Sequence, residues 1–455
     1  MFELSVKQVA KAIGAQLLGE DVLFHRVSID SRQVENGDLF VALRGDRFDA
    51  HDFSESVLNS GAVALMVERP LDVAAPQLLV DDSRLALGRL AAYWRSLQTL
   101  SLLAITGSNG KTTVKEMLAA ILSQVGSTHA TQGNFNNEIG VPLTLLALQP
   151  EHQFAVVEMG ANHAGEIAYL CSLAKPKVVL INNAAAAHLE GFGSLEGVAR
   201  AKGEIYADLP EDGVALINVD DDFAPLWLSL ANEHQKLTFG LQGAADVSGR
   251  WMAPSRLQIR YQAKLIELDL PLLGEHNARN AVAASAAALA LGVGMTQIKR
   301  GLLSMRAVKG RMQQKQGING SLLFDDSYNA NLASLSVALN VICEQHGEPW
   351  LVLGDMLELG EESSAIHFQA GEQAKRAGVK RLFALGELSR HSCAGFGQGA
   401  EHFADLSVLS AALQSQLGKN NVLLIKGSRG MRLDKLVDQL VLKAGSYSGS
   451  IEDVF

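Results

Sequence analysis

The feature that most constrains this chain is a glycine-rich segment between a short apolar run and a stretch with helical spacing. Residues 106–113 read TGSNGKTT, with SLLAI before them and VKEMLAAILSQ after them. Backbone N–H groups of such a turn, backed by a helix N-terminus, bind phosphate. Lys111 is spaced to reach the β- and γ-phosphates, and Thr112 to hold Mg²⁺ through its hydroxyl. Ile105 stands where the general G-x-x-x-x-G-K-[ST] template has its first Gly, so the loop is a shorter variant that still predicts nucleotide binding.

The residues around this loop predict a central α/β domain over 99–312. Three further apolar runs, FAVVEMG, KVVLINNA and GVALINVD, are bounded by loops and separated by helical patterns. Such runs are typical of strands buried on both faces of a mostly parallel sheet. The segment GEHNARNAVAASAAALALGVG predicts a long Ala-rich helix that stops near Gly292 or Gly294.

Similar patterns on either side predict two flanking domains. Residues 1–98 contain helical spacing in LSVKQVAKAIGA and SRLALGRLAAYWRSLQ and strand patterns in DLFVALRG and AVALMVE. From residue 313, strand candidates LLFDDSY, WLVLGDM, VKRLFALG and NVLLIKGS alternate with helix candidates LASLSVALNVICEQ, HFQAGEQAKRAG and MRLDKLVDQLVLKAG. We therefore expect three α/β domains, the third (313–455) being a Rossmann-like, doubly wound one.

Composition narrows the classes of function. The chain of 455 residues has 39 Lys and Arg and 49 Asp and Glu, a net charge of −10, which argues against a general nucleic-acid-binding role. Three widely spaced cysteines predict neither a disulfide framework nor a zinc site. The N-terminus lacks a signal-peptide layout, and no apolar run is long enough to cross a bilayer. We expect a cytoplasmic protein without membrane insertion; its oligomeric state stays open, with a monomer favoured.

Three polar residues follow or accompany the predicted central strands. Glu158 ends the FAVVEMG run, where a carboxylate could complete a Mg²⁺ shell or simply be a solvated strand end. His188 lies in a loop after the apolar run KVVLINNA. Its position is equally consistent with a metal ligand and with a structural histidine. Lys202 lies in a predicted helix, and its pattern alone indicates a surface lysine.

A second group of polar residues lies towards the third domain. His276, Asn277 and Asn280 open the Ala-rich helix; Asn277 and Asn280 share a face, and helix capping is an alternative explanation for one of them. Arg311 follows a Gly at the domain boundary and is suited to phosphate. The loop after LLF contains several residues that suit either ribose binding or plain turn formation, namely Asp325, Asp326, Tyr328, Asn329 and Asn331.

Together these motifs resemble the Mur ligase family of peptidoglycan precursor synthesis. TGSNGKTT, GNFNNEIGVP, VVEMGANHAGEI, NNAAAAHLEGFGS and AKGEI are similar to its central domain, and GEHNARNA, KGRMQ, DDSYNAN, VLGDMLELG and KGSRG to the rest. The resemblance implies a UDP-sugar-binding domain, a central ATPase domain and a Rossmann-like domain that binds the incoming group. Within the family, DSR, GDLFVALRGDRFDAHDF, EHNARNA, DDSYNAN and GDMLELG are most similar to the branch that adds D-Ala-D-Ala to UDP-N-acetylmuramoyl-tripeptide.

The resemblance also implies a chemistry and its metal ions. ATP phosphorylates the terminal carboxylate of the tripeptide, and the amine of the dipeptide attacks the resulting acyl phosphate. Two Mg²⁺ are expected to neutralise the transferring phosphoryl group. Their protein ligands would be Thr112, Glu158, His188 and Lys202, the last as a carbamate.

Roles carry over from the family's motifs onto individual positions. Lys111, Lys202, His188 and Arg311 are the expected catalytic residues. Asn277 and Asn280 would contact adenine, Asp326 the ribose, and Arg311 the phosphates. The full ATP-binding set is Gly107, Ser108, Asn109, Gly110, Lys111, Thr112, Thr113, Asn277, Asn280, Arg311 and Asp326. The expected substrate-binding residues are Ser31 and Arg32 at the UDP end, Asn136, Asn137, Tyr328 and Asn329, and Ser428 and Arg429 near the carboxylate of the dipeptide.

Two other functions stay open. A different ligase of the same superfamily would share the chemistry, but the diaminopimelate-adding relative is expected to have a D-N-P-R-type motif near VLGDMLELG, and a folate-type ligase needs no UDP domain. A nucleotide-dependent binding module without ligase activity needs only the phosphate loop and leaves Glu158, His188, Lys202 and the third domain unexplained. The sequence does not distinguish diaminopimelate from lysine as the third residue of the tripeptide.

Overall fold

The short apolar runs form strands that pair into sheets, and the segments with helical spacing form helices that pack on those sheets. This confirms the predicted α/β class. The structure, a computed structural model, describes residues 3–45, 48–185 and 189–442. In it the strands form a five-stranded, a nine-stranded and a six-stranded sheet, with one additional two-stranded pair. His188 and the last residues of the helix predicted at 431–445 lie outside the described residues.

The N-terminal sheet has strand order β2-β7-β6-β5-β4, and a separate antiparallel pair joins β1 and β3. Its strands are β1 Leu4–Ser5, β2 Gln16–Leu18, β3 Leu23–Phe24, β4 Arg26–Ser28, β5 Asp38–Val41, β6 Ala62–Val67 and β7 Gln77–Leu79. The helices of this part are α1 Val6–Ile13, α2 Ser54–Asn59 and α3 Ser83–Ser96. Helix α1 begins at a capping box formed by Ser5 and Gln8 and ends at Gly14, whose backbone is left-handed.

The central sheet has strand order β16-β15-β14-β13-β12-β11-β8-β10-β9 and is mostly parallel, as predicted. Its strands are β8 Ser101–Thr106, β9 Thr128–Ala130, β10 Phe154–Glu158, β11 Val178–Ile181, β12 Val214–Asn218, β13 Gln235–Gly240, β14 Val247–Met252, β15 Arg256–Tyr261 and β16 Lys264–Asp269. Its helices are α4 Lys111–Leu122, α5 Gly140–Leu146, α6 Glu166–Ala174, α7 Leu189–Phe192, α8 Leu195–Gly203, α9 Ala224–Leu230, α10 Glu275–Ala290 and α11 Met295–Leu303.

The C-terminal sheet has strand order β17-β18-β22-β19-β20-β21, parallel except for β17. Its strands are β17 Gln313–Gln316, β18 Leu322–Asp326, β19 Glu348–Gly354, β20 Arg381–Leu385, β21 Ala400–Phe403 and β22 Asn421–Lys426. Its helices are α12 Leu332–Cys343, α13 Ser363–Ala377, α14 Arg390–Phe396, α15 Leu406–Gln416 and α16 Asp434–Leu440. Short 3₁₀ turns complete the chain at Ala50–Phe53, Glu204–Tyr206, Ile318–Gly320, Gly360–Glu362 and Arg429–Met431.

Continuous apolar runs became strands covered on both faces. In β8, Leu102 and Ala104 belong to one apolar cluster, whereas Leu103 and Ile105 belong to another on the opposite face. Helices α4, α10 and α11 cover the second face. The C-terminal sheet also has an apolar cluster on each face, consistent with the doubly wound prediction.

Some elements differ from the sequence patterns. The helix predicted over 431–445 begins only at Asp434 and ends at Leu440, because Val441 has an extended backbone and pairs with Gly317. The strands over 235–261 and the polar edge strand β17 carry no continuous apolar run and were not predicted. Among the described residues, no helix is both long and apolar enough to span a membrane.

Candidate active site

The glycine-rich loop joins the end of β8 to the start of α4, as predicted. Gly110 precedes α4 with φ of 80°, in the left-handed region that favours glycine. A Cβ at Gly110 would lie 2.5 Å from both Asn182 Nδ2 and Asn280 Oδ1. The position therefore requires glycine for its backbone angle and for the close packing of two asparagines.

Thr112, Glu158 and Arg311 form a hydrogen-bonded group behind the loop. The Thr112 hydroxyl donates to Glu158 Oε2 at 2.9 Å, and Arg311 Nη2 donates to Thr112 Oγ1 at 2.9 Å. Glu158 is 2% exposed and accepts a second bond, from Asn136 Nδ2, at 2.9 Å. The alternative of a solvated strand-end Glu158 is therefore wrong: its carboxylate is buried and held in a fixed direction.

Two lysines border the cavity beside the loop, one of them half-buried and the other buried. Lys111 Nζ donates to the Gly107 carbonyl at 2.5 Å, and burial lowers the pKa of Lys111 against the opposing effect of Glu158. Lys202 on α8 is 3% exposed, and burial lowers its pKa to about 7, with Lys111 acting in the same direction. The pattern that indicated a surface lysine at 202 was wrong, because helix α8 turns this side chain towards the cavity.

Asn109 forms hydrogen bonds with the side chains of three other asparagines. Its backbone N–H donates to Asn183 Oδ1 at 2.8 Å, and its carbonyl accepts from Asn182 Nδ2 at 2.8 Å and Asn183 Nδ2 at 3.0 Å. Its side-chain oxygen accepts from Asn331 Nδ2 at 2.9 Å. Asn182 and Asn183 follow strand β11, so the rule that ligands gather at carboxyl ends of strands could have identified them.

The residues of the GEHNARNA segment lie on α10 beside this loop. Gly274, not an asparagine, is the N-cap residue, so capping does not explain Asn277 or Asn280. Asn277 Nδ2 donates to the Leu273 carbonyl at 2.8 Å, and Asn280 Oδ1 accepts from Asn182 Nδ2 at 3.0 Å. Burial lowers the pKa of the neighbouring His276 to about 4, and Lys426 acts in the same direction.

The C-terminal sheet contributes a buried ion pair. Lys426 Nζ donates to Asp326 Oδ2 at 2.5 Å and to the Asn329 carbonyl at 2.9 Å. Asp326 Oδ1 accepts from the Met312 N–H at 3.1 Å, and burial raises the pKa of this carboxyl against the effect of Lys426. Lys426 was missed in the sequence, although it ends the buried strand β22 beside the strand of Asp326.

Most predicted residues border one cavity of about 1230 Å³ between the central and C-terminal sheets. Those that line it are Ser108, Asn109, Gly110, Lys111, Thr113, Asn136, Asn137, Glu158, Lys202, Asn277, Asn280, Arg311, Asp326, Tyr328 and Asn329. Gly107 and Thr112 lie in the same loop without lining it. The structure thus brings together residues from 108 to 329 that the sequence separates widely.

Four predicted substrate residues lie outside this cavity. Arg32 follows Ser31 in an exposed turn, and its side chain is 84% exposed and pairs with Asp30 at 2.8 Å. Ser428 is buried, and its hydroxyl oxygen accepts from the Leu357 N–H at 2.9 Å, whereas Arg429 is exposed. Asn137 lines the cavity but also uses its side-chain oxygen to accept from the Gly140 N–H at 2.9 Å.

Magnesium would fit one part of this arrangement. Among residues 3–45, 48–185 and 189–442, no group of three or more His, Cys, Asp and Glu side chains is arranged to hold a metal ion. Mg²⁺ usually takes only one or two carboxylates, with water and substrate phosphates completing its shell. Thr112 Oγ1 and the Glu158 carboxylate supply adjacent oxygen atoms of that kind.

Comparisons with known families cover most of the chain. Residues 23–95 match the family described as Mur ligase family, catalytic domain. Residues 105–288 match the Mur ligase middle domain, and residues 310–429 match the Mur ligase, glutamate ligase domain.

Individual relatives are similar over almost their full length. The UDP-N-acetylmuramoyl-tripeptide--D-alanyl-D-alanine ligase of Escherichia coli K12 is 45% identical, covering 97% of this chain and 99% of its own. The Bacillus subtilis ligase of the same name is 35% identical, covering 97% and 99%. A crystal structure of MurF from Acinetobacter baumannii superposes with a TM-score of 0.90 at 38% identity, covering 96% and 98%. MurF from Thermotoga maritima in complex with ADP has a TM-score of 0.79 at 28% identity, covering 91% and 96%.

Proposed function

The chain belongs to the Mur ligase family, and we propose that it joins D-Ala-D-Ala to UDP-N-acetylmuramoyl-tripeptide in a reaction driven by ATP. The names of its full-length relatives, at up to 45% identity, support this substrate pair. The observation that carries the chemistry is the hydrogen bond from Arg311 to Thr112, because it joins a residue next to the C-terminal sheet to the phosphate loop. On this proposal the protein works in the cytoplasm on small-molecule substrates.

ATP binding is assigned to both sides of the cavity. The N-terminus of α4 and Lys111 bind the β- and γ-phosphates, since the free N–H groups and the ammonium group both favour an anion. Arg311 reaches the phosphates from the other side. Asp326 is oriented by Lys426 and accepts from the ribose hydroxyls, and Asn277 and Asn280 border the adenine.

The reaction needs two displacements. An oxygen of the tripeptide carboxylate attacks the γ-phosphorus of ATP, and ADP leaves. The neutral amine of the dipeptide then attacks the acyl carbon to form a tetrahedral intermediate. As this intermediate collapses, phosphate leaves with the bonding electrons and takes up the proton that the nitrogen loses. Lys111 and Arg311 stabilise the phosphoryl charge, and closure of the cavity around the substrates would exclude water from the acyl phosphate.

Magnesium ions are part of this proposal. Thr112, Glu158 and His188 would hold them together with a carbamate on Lys202, and they would neutralise charge on the transferring phosphoryl group. A pKa of about 7 leaves much of the Lys202 amine neutral, and the neutral amine is the form that adds carbon dioxide.

The proposal is tested by phosphate release from the purified full chain. ATP, Mg²⁺ and UDP-N-acetylmuramoyl-tripeptide are supplied with and without D-Ala-D-Ala. The mass of the UDP-N-acetylmuramoyl-peptide product is measured by mass spectrometry. We expect release that requires both substrates and a product heavier by one dipeptide residue. Release that requires a different amino acid would identify another ligase of the family, and release indifferent to every acceptor would indicate a nucleotide-binding module.

A further inference from the structure

Tyr328 has two arginine side chains against its ring. The Arg311 guanidinium carbon lies 4.3 Å from the ring centroid, and that of Arg429 lies 5.2 Å from the same centroid. Both distances fall within the range at which a cation is attracted by the electron-rich face of an aromatic ring. A single side chain therefore contacts two cations whose positions in the sequence are 118 residues apart (429 − 311).

The backbone of Tyr328 is held in place. Its N–H donates to the Gly310 carbonyl at 3.1 Å. Gly310 has φ of 73°, and a Cβ there would lie 3.3 Å from the Tyr328 Cβ. The carbonyl of the next residue, Asn329, accepts from the buried Lys426. These contacts fix the main chain on both sides of Tyr328 and so fix the point from which its ring extends towards the arginines.

The two arginines are expected to serve different substrates of the proposed reaction. Arg311 donates to Thr112 in the phosphate loop. Arg429 follows Ser428, whose buried hydroxyl and backbone N–H are bonded to Leu357 and Asp355, so its main chain is also fixed. The Arg429 side chain is exposed, and its guanidinium lies against the Tyr328 ring. Its charge is thus available to an anionic group of a substrate.

We propose that Tyr328 is a positioning residue that holds the Arg311 and Arg429 guanidinium groups at a set separation, one for the ATP phosphates and one for the carboxylate of the dipeptide. The inference rests on the proposed function and deepens it. Two like charges repel, and the ring offsets this by attracting both. The separation of the two guanidinium groups then sets how far the bound dipeptide lies from the acyl phosphate, which is an effect on orientation.

The first test removes the ring and then restores it. Tyr328→Leu and Tyr328→Phe are made in the full chain, and kcat and the KM for each of the three substrates are measured. For Tyr328→Leu we expect the KM for D-Ala-D-Ala to rise about 3- to 30-fold, the range of a cation–aromatic contact, with a smaller change in the KM for the tripeptide nucleotide. Tyr328→Phe keeps the ring and is expected to recover most of the loss. Tyr261→Leu, a tyrosine away from the cavity, is the matched control.

A double-mutant cycle separates positioning from a general structural effect. If Tyr328 acts through Arg429, the combined variant Tyr328→Leu/Arg429→Met should raise the KM for the dipeptide by clearly less than the product of the two single effects. Arg429→Lys, which keeps the charge but loses the planar guanidinium, should raise that KM even if Tyr328→Leu does not fold. Thermal unfolding of every variant checks that the chain is folded.

Three results would overturn the inference. These are multiplicative effects in the cycle, a Tyr328→Phe variant as impaired as Tyr328→Leu, or an unchanged dipeptide KM in both Tyr328→Leu and Arg429→Lys. Failure of the proposed function is distinguishable from all three, because the wild-type chain itself would then release phosphate without any dependence on D-Ala-D-Ala.

Discussion

At the scale of the residue, Lys202 is the clearest case of a side chain changed by its surroundings. It lies in an ordinary amphipathic helix, yet it is buried beside a second lysine, and both effects lower its pKa to about 7. In an unfolded chain the same amine keeps its proton up to about pH 10.5. The protonation of Lys202 is therefore linked to folding.

This linkage predicts how the stability of a variant depends on pH. Between about pH 7 and 10.5 the Lys202 amine is protonated in the unfolded chain but neutral in the folded chain, so the free energy of unfolding of the wild type rises with pH in this range. Below about pH 7 the amine is protonated in both states, and the cost of burying its charge in the folded state is then at its largest. Lys202→Met should therefore unfold at a higher temperature than wild type at about pH 6, and the difference should shrink by about pH 9. Both melting temperatures are measured in buffer free of carbon dioxide, and a difference independent of pH would contradict the lowered pKa.

At the scale of the element, the start of α12 connects the C-terminal sheet to the phosphate loop. Asn331 is the N-cap residue of α12: its Oδ1 accepts from the Ser334 N–H at 2.8 Å, and its Nδ2 donates to Asn109 Oδ1 at 2.9 Å. Sequence reasoning left Asn331 open between ribose binding and turn formation and did not identify it as a helix cap. One amide thus caps a helix and contacts the loop across 222 residues of chain.

The two roles of Asn331 can be separated by substitution. Asn331→Asp keeps the capping oxygen but cannot donate to Asn109, so we expect near-wild-type stability with a KM for ATP raised about 2- to 10-fold, the effect of one lost hydrogen bond. Asn331→Ala should show the same rise in KM and also lose about 1 kcal/mol of stability. Steady-state kinetics and thermal unfolding of both variants are compared. A wild-type KM for ATP in Asn331→Asp would mean that the contact does not position the loop.

At the scale of the whole molecule, one apolar cluster joins the N-terminal and central sheets, whereas the C-terminal sheet has separate clusters. One cluster runs from the N-terminal sheet into the central sheet through helix α3, where Trp94 Nε1 also donates to the Leu148 carbonyl at 3.0 Å. The C-terminal sheet has two clusters of its own. Polar contacts such as Arg311 to Thr112 join it to the phosphate loop. We infer that the N-terminal and central parts move together and that the C-terminal part closes on them.

Small-angle X-ray scattering tests this closure. A non-hydrolysable ATP analogue with Mg²⁺ should lower the radius of gyration, because the proposed ligands come from both sides of the cavity. Arg311→Ala should weaken this response, since it removes a cation from the phosphates and a contact between the two parts. Arg376→Ala on α13, which removes an exposed arginine paired with Glu372, is the matched control. An unchanged radius at saturating analogue would contradict closure.

Local patterns of residues determined much of this molecule. Apolar runs such as SLLAI and FAVVEMG specify buried strands, the glycine-rich loop specifies a phosphate-binding turn, and each of these depends only on residues next to one another. The α/β class, the strand–loop–helix unit and the position of Glu158 at a strand end were therefore predictable. Weakly apolar edge strands, such as β17, were not, because their pairing depends on a neighbouring strand.

Only the tertiary structure decided which distant residues meet. Lys202 is buried by other elements, and the contacts of Arg311 with Thr112 and of Arg429 with Tyr328 join side chains that are far apart in the chain. No local period specifies such contacts, since they depend on how sheets and helices pack. The sequence by itself determined the elements and their chemistry, and the packing of those elements decided the electrostatics and geometry of the site.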